Sequence, residues 1–442
     1  MGLKPKFKLS PFQIILLGFA AVIFIGTVLL ILPLSSSSRE VTRFSDALFT
    51  ATSAVCVTGL VVFDTATHWS LFGQIVILLL IQTGGMGIVT VATLFALASG
   101  RKIGLSGRDT IKEAISAPDI GGVTKLTRFL VKRFLLIELL GALVMLPVFC
   151  MDFGVRGIWM AIFHSVSAFC NAGFDLMGSV GEFSSLTSYV SHPLINLTIL
   201  LLIVIGGIGF VTWEDVYTQK WRIGKYRMQS KVILSMTGIL ILLPALYFFF
   251  FEFTGMPLGE RIAASLFQSI TPRTAGFNTV DLTQISEGGS LLLIALMLVG
   301  GAPGSTAGGM KTTTIAVLFA CALSVFRKKE NAELIKRRID DNTVKHAATI
   351  FLLYLTLFLA GGALIAAIEG LPLPTCLYET ASAIGTVGLS LGITPTLHLS
   401  SKIILMILMF FGRVGGLTLI YATLGNAKKP TSKLPLDKIT VG

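Results

Sequence analysis

Apolar residues run in long stretches along this chain, and the polar ones are gathered between them. A helix crossing a hydrocarbon core of ~30 Å needs ~20 apolar residues. Eight stretches reach or approach that length: Ile14–Leu34, Leu71–Ala98, Phe134–Met151, Pro193–Val211, Val232–Phe253, Leu291–Phe326, Ala347–Ile368 and Ile403–Leu424. The third is short and carries Glu138; the sixth is over-long and interrupted by Gly300-Gly301-Ala302-Pro303-Gly304-Ser305-Thr306-Ala307-Gly308-Gly309-Met310-Lys311. Glycine costs about 1 kcal/mol and proline about 3 kcal/mol inside a helix, so that segment predicts a break. The first stretch follows Lys4, Lys6 and Lys8 and ends in Leu32-Pro33-Leu34. It is longer than the ~7–15 residue core of a signal peptide and reads as a retained span.

Basic residues divide the connections into two kinds. Those around Arg101–Arg133, Lys220–Lys231 and Arg327–Lys345, with both ends of the chain, are rich in lysine and arginine; the others hold only Arg39, Arg43, Arg156, Arg261, Arg273 and Lys402. The rich side is expected in the cytoplasm, which puts both termini there. The spans then pair into units of two, expected at 1–112, 113–227, 228–340 with the interrupted run, and 341–442 with the C-terminal tail.

Each poor connection contains a related short segment. They read Phe49-Thr-Ala-Thr-Ser53-Ala-Val-Cys56-Val-Thr-Gly59-Leu, Phe163-His-Ser-Val-Ser167-Ala-Phe-Cys170-Asn-Ala-Gly173-Phe, Phe267-Gln-Ser-Ile-Thr271-Pro-Arg273-Thr-Ala-Gly276-Phe and Tyr378-Glu-Thr-Ala-Ser382-Ala-Ile-Gly385-Thr-Val-Gly388-Leu. A dozen helical residues rise only ~18 Å, too little to cross. The segments therefore predict half-helices that enter the membrane and return as extended backbone. Such backbone is tolerated at that depth only inside protein or beside water. Four of them around one axis present rings of carbonyl oxygens, the shell that replaces water on an alkali cation. Three residues before each glycine stand Cys56, Cys170, Arg273 and Gly385, chemically unlike, as expected if main-chain oxygens do the coordinating.

Composition agrees with lipid as the solvent: 442 residues, 53% hydrophobic, 13% charged, mean hydropathy +0.83, where soluble domains carry ~25% charged residues. The net charge of +12 is dispersed in short loop clusters, which speaks for topology signals and against a nucleic-acid footprint. Five scattered cysteines and five scattered histidines form neither a disulfide framework nor a zinc site. The segment Gly304–Thr312 comes near a phosphate-binding loop, but Met310 separates glycine from lysine and no strand precedes it. No HExxH, carboxylate pair or nucleophile elbow points to an enzyme.

The segments Cys170-Asn-Ala-Gly173-Phe174, Pro272-Arg-Thr-Ala-Gly276-Phe277-Asn278 and Gly385-Thr-Val-Gly388 resemble the pore loops of the Trk/Ktr/HKT potassium transporter superfamily. Length and the bare tail are most similar to the KtrB type, the membrane subunit of Ktr systems. The resemblance implies an all-α integral membrane fold of four parallel helix–pore loop–helix repeats, eight spans around one potassium-channel-like pore. It implies a homodimer in the cell membrane, sodium-stimulated potassium uptake, potassium as substrate, sodium as activator and no covalently bound cofactor. A ring of cytoplasmic subunits that bind ATP and ADP would regulate it.

By position, the ion-binding backbone would be Val57, Thr58 and Gly59; Asn171, Ala172 and Gly173; Thr274, Ala275 and Gly276; and Thr386, Val387 and Gly388. Gly59, where some plant-type relatives carry serine, favours potassium; one glycine per strand, against two in a TVGYG loop, implies a shorter and less strict filter. The interrupted run matches the family's intramembrane gating loop, giving Gly300, Gly301, Gly304, Ser305, Thr306, Gly308, Gly309 and Lys311 as gate residues. Arg413, a charge inside the last span, is expected to bond carbonyls of that loop. Asp64, Asp175 and Asp281 follow three of the glycines and are candidates to draw cations to a mouth. Glycine pairs at Gly84-Gly85, Gly206-Gly207, Gly300-Gly301 and Gly415-Gly416 predict close helix packing. The competing reading is a cation-coupled secondary symporter, many of which are built from inverted repeats.

Overall fold

A computed structural model describes residues 10–98, 110–113, 123–416 and 418. The basic residues Lys4, Lys6, Lys8, Arg101, Lys102, Arg108, Lys428, Lys429, Lys433 and Lys438 lie outside the described residues, as do both termini.

Four long apolar helices set the frame: α1 (Pro11–Ile31), then a 31-residue helix at Val123–Phe153, a 20-residue helix at Met228–Tyr247 and a 29-residue helix at Asp341–Glu369. All four are long and apolar enough to cross a membrane. The start of α1 is fixed by a reciprocal cap, Ser10 Oγ accepting from the Gln13 amide while Gln13 accepts from the Ser10 amide, with Pro11 at the first position.

Each is followed by a short helix: α2 (Phe44–Cys56), then helices at Arg156–Phe169, Leu258–Ile270 and Leu373–Gly385. Thirteen or fourteen residues rise about 20 Å, so none of the four crosses a bilayer core. Their C-terminal halves are buried almost without exception.

The second apolar stretch of each unit differs from a simple span, because it breaks near its middle. In the first unit α3 (Leu71–Met86) ends at Gly87, φ 82°, and α4 (Ile88–Ala98) continues. In the second, a helix at Pro193–Gly207 turns by 101° through Gly209, φ 88°, into one at Phe210–Gln219. In the last, the helix at Leu399–Val414 ends at Gly415, φ 89°. The third breaks most widely, between helices at Glu287–Leu298 and Thr312–Phe326, as its glycine and proline content predicted. Among the described residues, therefore, single helices account for four of the eight stretches, five if the 101° pair is taken as one. A left-handed glycine ends the regular hydrogen bonding in three of the others at one equivalent place.

That register corrects one reading of the sequence. Gly84 lies against the Val55 carbonyl, Gly206 against that of Phe169 and Gly412 against that of Ile384, each leaving no room for a Cβ. Gly412, not Gly415, is thus the counterpart of the first glycine in the pairs, and Arg413 stands where Gly85 and Gly207 stand. The first, second and fourth short helices end on these glycines, which is how the broken helices hold the chain that follows. At the second break an aromatic cluster of Phe134, Phe169, Phe210 and Trp213 fills the corner; Phe134 and Phe169 meet edge to face at 4.9 Å. Beyond the third break a two-residue antiparallel pair joins Glu333 to Arg338 and Leu334 to Arg337.

Candidate functional site

The chain leaves each short helix through the same backbone sequence. Two residues before the glycine, φ is positive at Val57 (56°), Asn171 (59°), Thr274 (70°) and Thr386 (52°); at the glycines it is 90°, 70°, 83° and 96°. β-branched residues avoid this region, and strain of this kind persists only where surroundings over-determine it. The surroundings here are hydroxyls six residues before the glycine, or five in the third segment, one residue shorter. Ser53 Oγ accepts from the Gly59 amide at 3.1 Å and Ser382 Oγ from the Gly388 amide at 3.0 Å. Ser167 and Thr271 instead donate to the carbonyls of Phe174 and Phe277.

The four strands meet. A Cβ placed on Gly59 would lie 3.2 Å from Cα of Gly173; one on Gly173, 3.0 Å from Cα of Gly276; one on Gly276, 3.2 Å from Cα of Gly388; and one on Gly388, 2.9 Å from Cα of Gly59. The ring is closed, in chain order. The nearest atom in each case is the carbonyl oxygen of the residue before the next glycine: Ala172, Ala275, Val387 and Thr58. Glycine is required at all four positions on two grounds, the left-handed φ and the absence of space for a methyl group.

On one side the ring opens into a cavity of about 330 Å³ lined by all four glycines with Asp64, Asp175, Ser390 and Thr394. Burial pushes the Asp175 carboxyl up to about 7, the Met177 amide opposing and the neighbouring Asp64 adding to the rise. Asp64 is itself engaged, accepting from the amides of Ala66, Thr67 and Phe183. Asp281 does not join them. It is exposed, away from this cavity, and its carboxyl is held below the usual range chiefly by the Thr283 hydroxyl.

On the other side lies the segment 299–311. The sequence predicts a weakly structured stretch; instead it is non-helical but closely bonded. The Gly300 amide donates to Met310 O (2.8 Å), Ala302 to Gly207 O (2.9 Å), Thr312 to Gly301 O (3.0 Å) and Gly309 to Gly412 O (3.1 Å), while Gly304 O accepts from Phe210 (2.6 Å). Bare glycines let neighbouring main chains come this close. Ser305 Oγ returns to Ala302 O, and Lys311 Nζ to Ala307 O at 2.8 Å and Gly308 O at 3.3 Å. Gly308 lies against Thr386, and Thr306 Oγ1 donates to Asn171 Oδ1 at 3.2 Å, while Asn171 Nδ2 donates to Thr274 Oγ1 at 3.2 Å. The segment therefore touches the second and fourth strands directly.

Arg413 donates to Thr306 O, as expected, and also to Gly84 O and Gly85 O, which sequence reasoning missed. These carbonyls lie in the last turn before Gly87, where helical acceptors lose their usual donors four residues on, and that break is hidden inside the apolar run 71–98. Also missed was Glu138, buried behind the second strand, where it accepts from Gln82 Nε2 at 3.0 Å and lies 3.7 Å from Cys170 Sγ.

A family model described as TrkH, cation transport protein, matches residues 7–430. The chain belongs to the TrkH cation transport family. The potassium/sodium uptake protein NtpJ of Enterococcus hirae is 40% identical to this TrkH-family chain over 98% of each. The Ktr system potassium uptake protein B of Bacillus subtilis is 37% identical, over 94% of this chain and 93% of its own. The crystal structure of the potassium transporter TrkH from Vibrio parahaemolyticus superposes with a TM-score of 0.74, over 96% of this chain and 86% of that one, at 20% identity. The Trk/Ktr resemblance drawn from the pore-loop motifs holds, and the TrkH-family chain shares that solved fold.

Proposed function

We propose that this chain carries potassium ions into the cell through a filter made of main-chain carbonyls, in a multi-pass protein of the cytoplasmic membrane with both termini inside. The observation that carries the reading is the closed ring of Gly59, Gly173, Gly276 and Gly388. Four strands of one backbone shape, with unlike side chains three residues before each glycine, suit coordination by the carbonyls of Val57–Gly59, Asn171–Gly173, Thr274–Gly276 and Thr386–Gly388. In this reading the units 1–112, 113–227, 228–340 and 341–442 are parallel repeats, and the broken helices make up the remaining four of eight spans.

The segment 300–311 is the gate. It lies against the strands and is held by Arg413, whose charge also opposes cation leak. Relatives named for potassium/sodium uptake and for a Ktr system support potassium as the substrate. Sodium as a stimulator, a homodimeric assembly and a cytoplasmic subunit responding to ATP and ADP belong to the proposal through the pore-loop resemblance. The test is rubidium uptake into proteoliposomes holding the purified chain, beside Gly59→Ser and Gly276→Ser. Uptake by the parent with weakened exclusion of sodium in both variants is expected; no uptake, or variants with unaltered preference, overturns the reading.

A further inference from the structure

The residue after the aromatic in each short helix is Thr50, His164, Gln268 and Glu379. This position faces the chain just past the ring, but only two of the four residues hold it. His164 Nε2 accepts from the amide of Leu176, three residues past Gly173, at 3.3 Å. Glu379 does the same for Leu391, three residues past Gly388, and adds two hydroxyls: Ser390 donates to Oε1 and Thr394 to Oε2 at 3.0 Å. Ser390 Oγ in turn accepts from the Gly392 amide at 2.9 Å. Thr50 bonds back to Asp46 O in its own helix, and neither amide atom of Gln268 has a partner.

Glu379 is fully buried, while Ser390 and Thr394 line the cavity together with Gly388. A side chain gripping one loop through three donors at once restrains it more than any single bond, because all three must give way together for the loop to shift. We infer that Glu379 is a specificity-determining positioning residue: by clamping Ser390, Leu391 and Thr394 it fixes the height and width of the fourth strand at Gly388, and so the preference for potassium over sodium, without touching the ion. The inference rests on the filter reading above.

The experiment is rubidium uptake into proteoliposomes with sodium as competitor, with melting temperature and size-exclusion profile recorded for every variant. Glu379→Ala is expected to lower the rubidium-over-sodium preference about fivefold, and Glu379→Gln, which keeps one acceptor, by about half as much. Thr50→Ala, at the same position in a segment without the tie, leaves the preference unchanged. If Glu379→Ala does not fold, the double variant Ser390→Ala with Thr394→Val removes the donors instead and is expected to move the preference the same way. A folded Glu379→Ala, or that double variant, with the parent's preference overturns the inference while leaving the filter reading intact. A parent that takes up no rubidium overturns both.

Discussion

The ring of strands and the helices beneath it are built on opposite plans. Around the ring, four segments with different side chains converge on one backbone shape. Even the hydroxyl braces fall into two matched pairs, with Ser53 and Ser382 accepting from a glycine amide, and Ser167 and Thr271 donating to a phenylalanine carbonyl. Beneath the ring, three helices break at one equivalent glycine and the third opens instead into a thirteen-residue span from 299 to 311. In the proposed reading, symmetry is kept where a cation would be surrounded evenly and given up where a single element would move. The same glycine chemistry serves both, as left-handed turns in one and as bare contact surface in the other.

The comparison breaks most severely if a ring glycine can be replaced. A Cβ at Gly388 meets both the Thr58 carbonyl and a left-handed φ, so Gly388→Ala is expected to lower potassium uptake tenfold or more, equivalent to at least ~1.4 kcal/mol of added barrier. Initial rates at equal reconstituted protein decide it, and a parent-like rate would mean that the four strands do not carry the ion.

The asymmetric half is tested by Arg413→Ala. Loss of the bonds to Thr306, Gly84 and Gly85 frees the loop, and flux without the regulatory partner is expected to rise about fivefold, ~1 kcal/mol. Equal flux at equal expression removes Arg413 from the gate. A smaller effect belongs to the link between the halves. Thr306→Val deletes the hydroxyl that reaches Asn171, and about a threefold rise in basal flux is expected, ~0.6 kcal/mol, near the lower end of what one neutral hydrogen bond contributes.

At the mouth the expected change is about twofold, with a sign fixed by Asp175. Its carboxyl, pushed up to about 7, is neutral below that pH and negative above it, so uptake from dilute potassium rises as the outer pH goes from 6 to 8. Asp175→Asn flattens that profile, and a slope surviving the substitution assigns it to another group. The smallest effect sharpens the contrast. Cys56→Ala changes a side chain at the variable position and is expected to leave the potassium-to-sodium ratio unchanged, because the strand acts through its main chain.

The four half-helices and the glycine after each were legible because the motif repeats in register, and repetition separates a backbone requirement from chance. The third break was legible because five glycines and a proline in twelve residues cannot stay helical. The other three breaks were hidden, since one left-handed glycine inside a run as apolar as Leu71–Ala98 leaves no trace in its hydrophobicity. Arg413 was visible as an odd charge, but only one of its partners was. Carbonyls of Gly84 and Gly85, more than three hundred residues away, carry no side-chain signature. The same holds for Glu379, a lone acid in a half-polar segment, and Glu138, a lone acid in an apolar run, whose partners come from loops and helices that only folding brings near.

A bracelet assembled from a single thread has three joints made by the thread itself and one that must be fastened. Here the open joint falls between the last unit and the first. Lys402 reaches Asp46 across it at 3.4 Å on one side of the ring, and Arg413 reaches Gly84 and Gly85 on the other. The guanidinium that holds the loop is therefore also half of the clasp, so whatever pulls it from the loop also tugs on the seam that keeps the circle closed.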